Sequence, residues 1–363
     1  MLSKALVNGA YQRKLEELAR LPGLDLLAVV PPYWRQEGQP IRLERTHGQG
    51  YELAVEPMAL NGHFHVHCYP LLRRRFRQFR PQLVHIDEEP YNLATFQAAH
   101  LSRHFGARCL FFTWQNLDRR YPWPFAGFER YVWRNASAGI AGNADAAAIQ
   151  RRRGFHGRLD VIPQIGVDPE QFAPSPRRPD AAFTVGYVGR LVASKGLWQL
   201  CEALERLPSE CRLLLVGRGP LGPAILQRAT ENGWASRLEI TSAPSDGMPQ
   251  AYQRMDCLVL PSLTTPTWKE QFGRALMEAM ACGVPVVGSD SGEIPSVIGG
   301  AGILTPEGDI AALARAISRL QADPGLRQQL AAEGRARVLE RFTHTRIAQQ
   351  TYSLYQALLA DAH

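Results

Sequence analysis

Apolar residues in the second half of the chain gather in short, β-branched-rich runs: FTVGYVG (183–189), RLLLVG (212–217), LEITSA (238–243), CLVLPS (257–262) and PVVGSD (285–290). Each is followed by helical-looking sequence or by a Gly/Pro-containing loop leading into it. That alternation predicts a parallel sheet wrapped by helices, with ligands at the carboxyl ends of the strands. The first half repeats the rhythm less clearly, in LDLLAVV (24–30), FHVHCY (64–69), QLVHID (82–87), RCLFFT (108–113) and AGIAGN (138–143). Two similar α/β domains are therefore expected. At the start only KALV (4–7) precedes the loop NGAYQRK (8–14), which makes the first strand short or partly missing. Between the halves, PQIGVDPEQFAPSPRRPDA (163–181) is rich in proline and charge without a period, and reads as a linker. The boundaries drawn from this are 1–165, 166–342 and a final segment 343–363.

Composition narrows the class. With 45% apolar and 21% charged residues over 363, the chain buries a sizeable core and is neither disordered nor fibrous. Its six cysteines form no C-x-x-C pair, which suits free thiols in a reducing, cytoplasmic setting better than disulfides or a zinc framework. No apolar run reaches the roughly 18 residues of a membrane span, and no charged-then-apolar N-terminal signal is present. The net charge of +7 is uneven: residues 1–165 carry 22 Lys+Arg against 14 Asp+Glu, and 166–363 carry 19 against 20. Much of the excess lies in LLRRRFRQFRP (71–81) and RRRGFHGR (151–158). These runs either face anionic lipid or an acidic substrate at the inner face of a membrane, or form solvated helix faces. Nucleic acid fits poorly, because no reading motif accompanies them.

The candidate chemistry sits in PSLTTPTWKEQFGRALMEAMACGVP (261–285), where a loop turns into a helix. Glu270 and Glu278 are eight positions apart, about 800° around an ideal helix, so both cannot lie on one helical face. The spacing is intelligible if Glu270 lies in the loop and Glu278 projects from the second turn of a helix that begins near Gly273. The N–H groups of Gln271, Phe272, Gly273 and Arg274 would then make the helix start an anion site. Carboxylates on either side would accept from the hydroxyls of a ribose and a sugar. The bland alternative is a surface Glu270 and a satisfied buried Glu278. In GYVGRLVASKG (186–196), Arg190 just past a strand and Lys195 five residues on converge on the same edge, placing two cations for a diphosphate. Gly217 and Gly219 admit a close backbone approach, a weak signal beyond a turn. His63, His65 and His67 alternate along the predicted strand 64–69; they form either a metal face or, more ordinarily, a half-buried polar face. Asp87, Glu88 and Glu89 end a predicted strand and either receive acceptor hydroxyls or cap the next helix.

These residues carry a resemblance. EQFGRALMEAMACGVPVVGSDSGEIPSVIG (270–299) resembles the E-x7-E signature, and VGRL with the later KG (188–196) the phosphate-binding Arg and Lys, of the family-four retaining glycosyltransferases. The likeness runs from about 183 to 342; residues 1–165 match only in outline. It implies the GT-B fold, with two Rossmann-like domains facing across a cleft and a final helix, HTRIAQQTYSLYQALLA (344–360), returning to the first domain. By the same resemblance Glu270 meets the transferred sugar, Glu278 the ribose, Arg190 and Lys195 the diphosphate, and Gln271, Phe272 and Gly273 the donor through the loop and its backbone. The first domain departs from the family in two places. A Gly-Gly loop is replaced by Asn8, Gly9 and Ala10, which leaves Gly9 as the donor-side approach. A histidine after the fourth strand is replaced by Trp114, Gln115 and Asn116, and an amide hydrogen-bonds a sugar hydroxyl but takes up no proton.

The expectation is a hexosyl transferase that moves a sugar from a nucleotide diphosphate, UDP before GDP, to an acceptor hydroxyl with retention. Glu88, Glu89, Gln115 and Asn116 are its acceptor-side candidates. No cofactor is implied, and no Asp-x-Asp triplet suggests a catalytic metal. A carbohydrate, lipid-linked or small-molecule acceptor fits equally, as in polysaccharide or glycoconjugate synthesis. The alternative is a non-catalytic nucleotide-sugar sensor or scaffold; a sugar-phosphate epimerase is disfavoured by the E-x7-E match.

Overall fold

The structure is a computed structural model that describes residues 1–36, 38–175 and 182–360, so the end of the expected linker, 176–181, lies outside the described residues. The chain divides into two units: Met1–Gly166 with His344–His363, and Val167–Thr343.

In the first unit, β1 (Leu27–Val30) is followed by an antiparallel hairpin of β2 (Tyr33–Gln36) and β3 (Gln39–Arg42), and β4 (Glu52–Val55) returns to pair in parallel with β1. A second parallel sheet runs in the order β5 (Leu83–Ile86), β6 (Arg108–Thr113), β7 (Ala138–Ala141) and β8 (Arg158–Val161). Leu2 makes parallel bridges to both Val29 and Ile86 and so joins the two sheets. Alternating side chains enter opposite cores, as the pleat requires. Val29, Ile86 and Phe111 pack with Leu72, Phe76 and Ala98, while Ala28, Val30 and Leu110 pack with Leu15, Leu18 and, from the helix His344–Ala360, Ile347, Leu354 and Leu358.

Two expectations are corrected here. Residues 64–69 are not a strand: they follow a run of turns in which His63 accepts from the backbone N–H of both Val66 (3.2 Å) and His67 (3.1 Å). Local carbonyls satisfy this segment, and the three histidines share no strand face. His67 instead packs edge-on against Trp34, with ring centroids 5.2 Å apart. Residues 4–7 are not a strand either; Ala5–Val7 is a 3-10 turn that buries Leu6 and Val7, and the strand role falls on Leu2. The periodicity also passes over the exposed β3, over β2 and β8, which are exposed at half their positions, and over β4, whose apolar stretch Leu53–Val55 is only three residues long.

The second unit holds one parallel sheet of β9 (Thr184–Val188), β10 (Arg212–Val216), β11 (Leu238–Thr241), β12 (Cys257–Leu260), β13 (Val286–Ser289) and β14 (Ile303–Thr305), in the order β11-β10-β9-β12-β13-β14. The first five are the runs seen in the sequence; β14 is too short to show. The order reverses between β9 and β12, and in a sheet of this kind the ligand crevice lies at the carboxyl ends of those two strands. The start of the expected linker is anchored: Phe172 is buried, and its carbonyl accepts from Arg335 at 3.2 Å.

Candidate active site

The switch point of the second unit collects the sequence candidates. Beyond β9, the carbonyl of Arg190 accepts from the Tyr187 hydroxyl at 2.8 Å, which fixes the loop's turn while the Arg190 side chain stays exposed. A short 3-10 turn, Ala193–Lys195, follows and ends at Gly196 with φ +69°. A Cβ there would lie 1.8 Å from the Pro261 carbonyl, so only glycine lets the loop after β9 press against the loop after β12. Leu263 N–H donates to the Ser194 carbonyl at 2.8 Å across the same contact. The result is that Lys195 Nζ reaches Glu270 Oε2 at 2.6 Å and stands 4.5 Å over the Trp268 ring.

Glu270 lies in the loop, as its spacing from Glu278 requires, and is 7% exposed. Its Oε2 also accepts from the Ser262 hydroxyl at 2.9 Å, and its carbonyl accepts from Glu293 N–H at 3.2 Å. Gly292, with φ +56°, brings the loop after β13 so close that a Cβ would sit 2.1 Å from that carbonyl. Gly273 takes φ +80° and begins the helix Arg274–Ala281. Gln271 is exposed, whereas Phe272 turns inward, its ring 5.7 Å from that of Phe342. Glu278 occupies a buried helical position because it has partners there: the Tyr252 hydroxyl donates to Oε2 at 2.7 Å and Arg274 Nε binds Oε1. Burial first, and then the charge of Glu278, push the Tyr252 hydroxyl well above its ordinary value, so it stays a proton donor. Glu270 and Glu278 are thus held by different neighbours, one at the crevice and one in the core.

Sequence reasoning missed Tyr252, Ser262 and Trp268, and named Arg274 for its backbone N–H but not for its side chain. Arg274 stands four residues before Glu278, a spacing that faces the two along one side of a helix. Trp268 and Ser262 lie within the quoted loop. Tyr252, 26 positions away, gave no signal.

In the first unit the chain past β5 buries Asp87, Glu88 and Glu89. Asp87 Oδ2 accepts from the Ser3 hydroxyl at 2.7 Å and from Gln164 Nε2 at 2.9 Å. Glu88 pairs with Lys4 and faces His67 Nε2 at 3.6 Å. Glu89 accepts from the Thr113 hydroxyl at 2.7 Å and Trp114 N–H at 2.8 Å. The two glutamates part company electrostatically. Burial opposes the charge of Glu88, but Lys4 and His67 outweigh it and hold that carboxyl at about 2. Burial dominates at Glu89 and pushes it up to about 7 despite its two donors. All three acids line a cavity of about 310 Å³ together with Lys4, Trp34 and Phe64. Gln115 stands apart, its amide accepting from Arg153 Nη1 at 3.3 Å and donating to the Arg119 carbonyl at 3.2 Å, and Asn116 is buried beside it. The approach over Gly9 is already taken: its N–H donates to Glu44 Oε2 at 2.8 Å, and a Cβ would lie 2.1 Å from Thr46 Oγ1. Among the described residues no group of three His, Cys, Asp or Glu is arranged to hold a metal.

Residues 182–323 match the family model described as glycosyl transferases group 1. Among curated proteins, the chain is 30% identical over 277 residues to a 2-deoxystreptamine N-acetyl-D-glucosaminyltransferase of Streptomyces fradiae, covering 69% of this chain and 64% of that one. It is 30% identical over 236 residues to a D-inositol 3-phosphate glycosyltransferase of Streptomyces bingchenggensis, covering 58% and 50%. The chain therefore spans between half and two thirds of the length of these relatives. In fold it is similar to a sucrose-phosphate synthase from Thermosynechococcus elongatus, at TM-score 0.75 and 23% identity over 97% of this chain and 93% of that one. It is similar likewise to HepE from Anabaena, solved in complex with UDP, at TM-score 0.75 and 22% identity over 98% of both. The architecture of both units is that of the GT-B glycosyltransferases, and through its second unit the chain belongs to the glycosyl transferases group 1 family.

Proposed function

We propose that this chain transfers a hexose from a nucleoside diphosphate sugar, UDP-linked before GDP-linked, to an acceptor hydroxyl, with retention at the anomeric carbon and without a metal ion. The observation that carries the reading is the Lys195–Glu270 pair at the switch point, 2.6 Å apart beside a helix that begins at Gly273. A diphosphate arriving there competes for Lys195 and, with Arg190 and the helix start, meets positive potential. Once Lys195 turns to phosphate, the Glu270 carboxylate is released to accept sugar hydroxyls. As the anomeric C–O bond to the diphosphate breaks, the growing negative charge is stabilised by these same groups. The acceptor oxygen bonds to that carbon from the same face, and its proton passes to the departing phosphate oxygen. The names of the relatives, all sugar transferases, and the UDP bound by HepE support the donor class.

On the acceptor side the reading assigns the cavity of Lys4, Glu88 and Glu89 to a carbohydrate, lipid-linked or small-molecule hydroxyl. A peripheral contact of the first unit with an anionic surface at the cytoplasmic face belongs to the same proposal, and rests on the charge excess of residues 1–165. No helix among the described residues is long and apolar enough to cross a membrane. The test is incubation with UDP- and GDP-sugars and a panel of acceptors in EDTA, following nucleoside diphosphate release and the anomeric configuration of the product by NMR. Release with an axial product supports the proposal. Inversion, or activity that requires an added divalent ion, overturns its mechanism; donor binding with no turnover on any acceptor favours the sensor or scaffold reading.

A further inference from the structure

Two partners hold the Lys195 ammonium in the second unit, and they differ in kind. Glu270 Oε2 lies 2.6 Å from Nζ, and the centroid of the Trp268 ring lies 4.5 Å from it. The carboxylate cancels the charge of Lys195, whereas an indole face attracts an ammonium through its quadrupole and carries no net charge of its own. A diphosphate therefore has to displace the first partner but is not repelled by the second. A second carboxylate in place of the ring would hold Lys195 as well and would oppose the incoming anion.

The ring owes its place to bonds that do not involve Lys195. The backbone N–H of Trp268 donates to Thr265 Oγ1 at 2.9 Å, and Thr265 N–H donates to the Trp268 carbonyl at 2.8 Å, which closes a tight turn. The residue before that turn is tied down twice: Thr264 N–H and Oγ1 each donate to a carboxylate oxygen of Glu307 at 2.5 Å, and Thr264 Oγ1 stands 3.0 Å from Ser291 Oγ. Glu307 N–H in turn donates to Asp290 Oδ1 at 2.8 Å. The turn that carries Trp268 thus rests on the loops after β13 and β14. On the other side of the contact, the 3-10 turn Ala193–Lys195 fixes the backbone of Lys195, while its side chain is 18% exposed and open to a ligand.

We propose that Trp268 is a positioning residue for the transfer: its ring keeps the Lys195 ammonium at the carboxyl edge of the sheet when a diphosphate draws it away from Glu270. The inference rests on the assignment of Lys195 to the diphosphate. Trp268 acts through Lys195 and needs no contact of its own with the donor. Glu270, once released, keeps the Ser262 hydroxyl as a donor at 2.9 Å and so stays at the crevice.

The test is a double-mutant cycle on Trp268→Leu and Lys195→Ala, with Trp268→Phe as the conservative variant. It is read as nucleoside diphosphate release from UDP- and GDP-sugars and, by calorimetry, as affinity for UDP and GDP; the affinity carries the comparison if the chain binds donor without turning it over. Leucine keeps bulk and loses the ring face, whereas phenylalanine keeps a face of weaker quadrupole. Trp268→Leu should cost about tenfold when Lys195 is present and less than about twofold when Lys195 is alanine, and Trp268→Phe should recover more than half of the loss. A ring that merely packs the loop would cost the same with and without Lys195, and that result overturns the proposal. A large loss in Lys195→Ala beside no loss in Trp268→Leu overturns it alone and leaves the donor site standing. If Lys195→Ala instead matches the parent in affinity and turnover, the assignment of Lys195 fails and the role of Trp268 with it. Should Trp268→Leu not fold, the same cycle run with Trp268→Phe decides: a loss that depends on Lys195 supports the proposal, and a loss independent of Lys195, or none, overturns it.

Discussion

At the residue scale the site is built from charges that have been given partners. Glu278→Ala should leave the buried Tyr252 hydroxyl and Arg274 without their acceptor, at a cost of about 2–3 kcal/mol by urea denaturation, and should weaken nucleotide-sugar binding as well. Glu278→Gln keeps an acceptor for Tyr252 and should recover most of the stability; if both variants unfold alike, the Tyr252 contact is not what the carboxylate provides. Lys195→Ala should lower turnover more than donor affinity, because phosphate charge grows toward the transition state, and steady-state kinetics beside a binding isotherm separate the two. Glu89 and Glu88 make opposite contributions with pH. Glu89, at about 7 when folded against an ordinary 4.5, gives its full contribution below 4.5 and loses it as pH rises through 7. Glu88, at about 2, contributes above 4.5 and loses this as pH falls toward 2. Glu89→Gln should therefore be more stable than the parent at pH 8, by no more than about 3 kcal/mol, with the gap closing at pH 4.5. A gap that stays constant with pH would exclude titration of Glu89 as its source.

At the element scale, what places these residues is the abutment of three loops at the carboxyl edge of β9, β12 and β13. Gly196→Ala should cost about 3 kcal/mol or more, since a left-handed residue would carry a Cβ into the Pro261 carbonyl. Gly308→Ala, at φ +74° with open space around its Cβ position, should cost only about 1 kcal/mol. Comparable losses in a thermal melt would mean that backbone strain, not the loop contact, dominates at Gly196. The strands of the second unit were legible because they are buried on both faces and read as unbroken apolar runs. The exposed β3, the half-exposed β2, the half-covered β4 and the three-residue β14 offered no such run. Residues 64–69 alternate like a strand, but their backbone finds its partners locally in turns. Pattern alone does not say which carbonyl an N–H will meet.

At the scale of the whole molecule, charge is the property that composition states and folding rearranges. The helix Leu72–Phe79 buries Leu72 and Phe76, ties Arg75 to Glu56 and leaves Arg73, Arg74 and Arg77 exposed. If this face meets an anionic membrane, each arginine is worth about 1 kcal/mol there and is screened beyond about 10 Å at 0.1 M salt. Vesicle cosedimentation should then fall steeply with salt and drop when Arg73, Arg74 and Arg77 are changed to glutamine; no binding at low salt would leave these arginines as a solvated face. The sequence by itself determined the α/β class, the strands of the second unit, and the loop position of Glu270 relative to a helical Glu278, because these follow from local periodicity and helical geometry. Only the tertiary structure decided that Lys195 closes on Glu270, that Tyr252 and Arg274 hold Glu278, that the Glu88 carboxyl is pulled down while that of Glu89 is pushed up, and that Leu2 bridges β1 and β5. Those outcomes depend on which distant groups share a buried, weakly screening space, and no spacing along the chain encodes that.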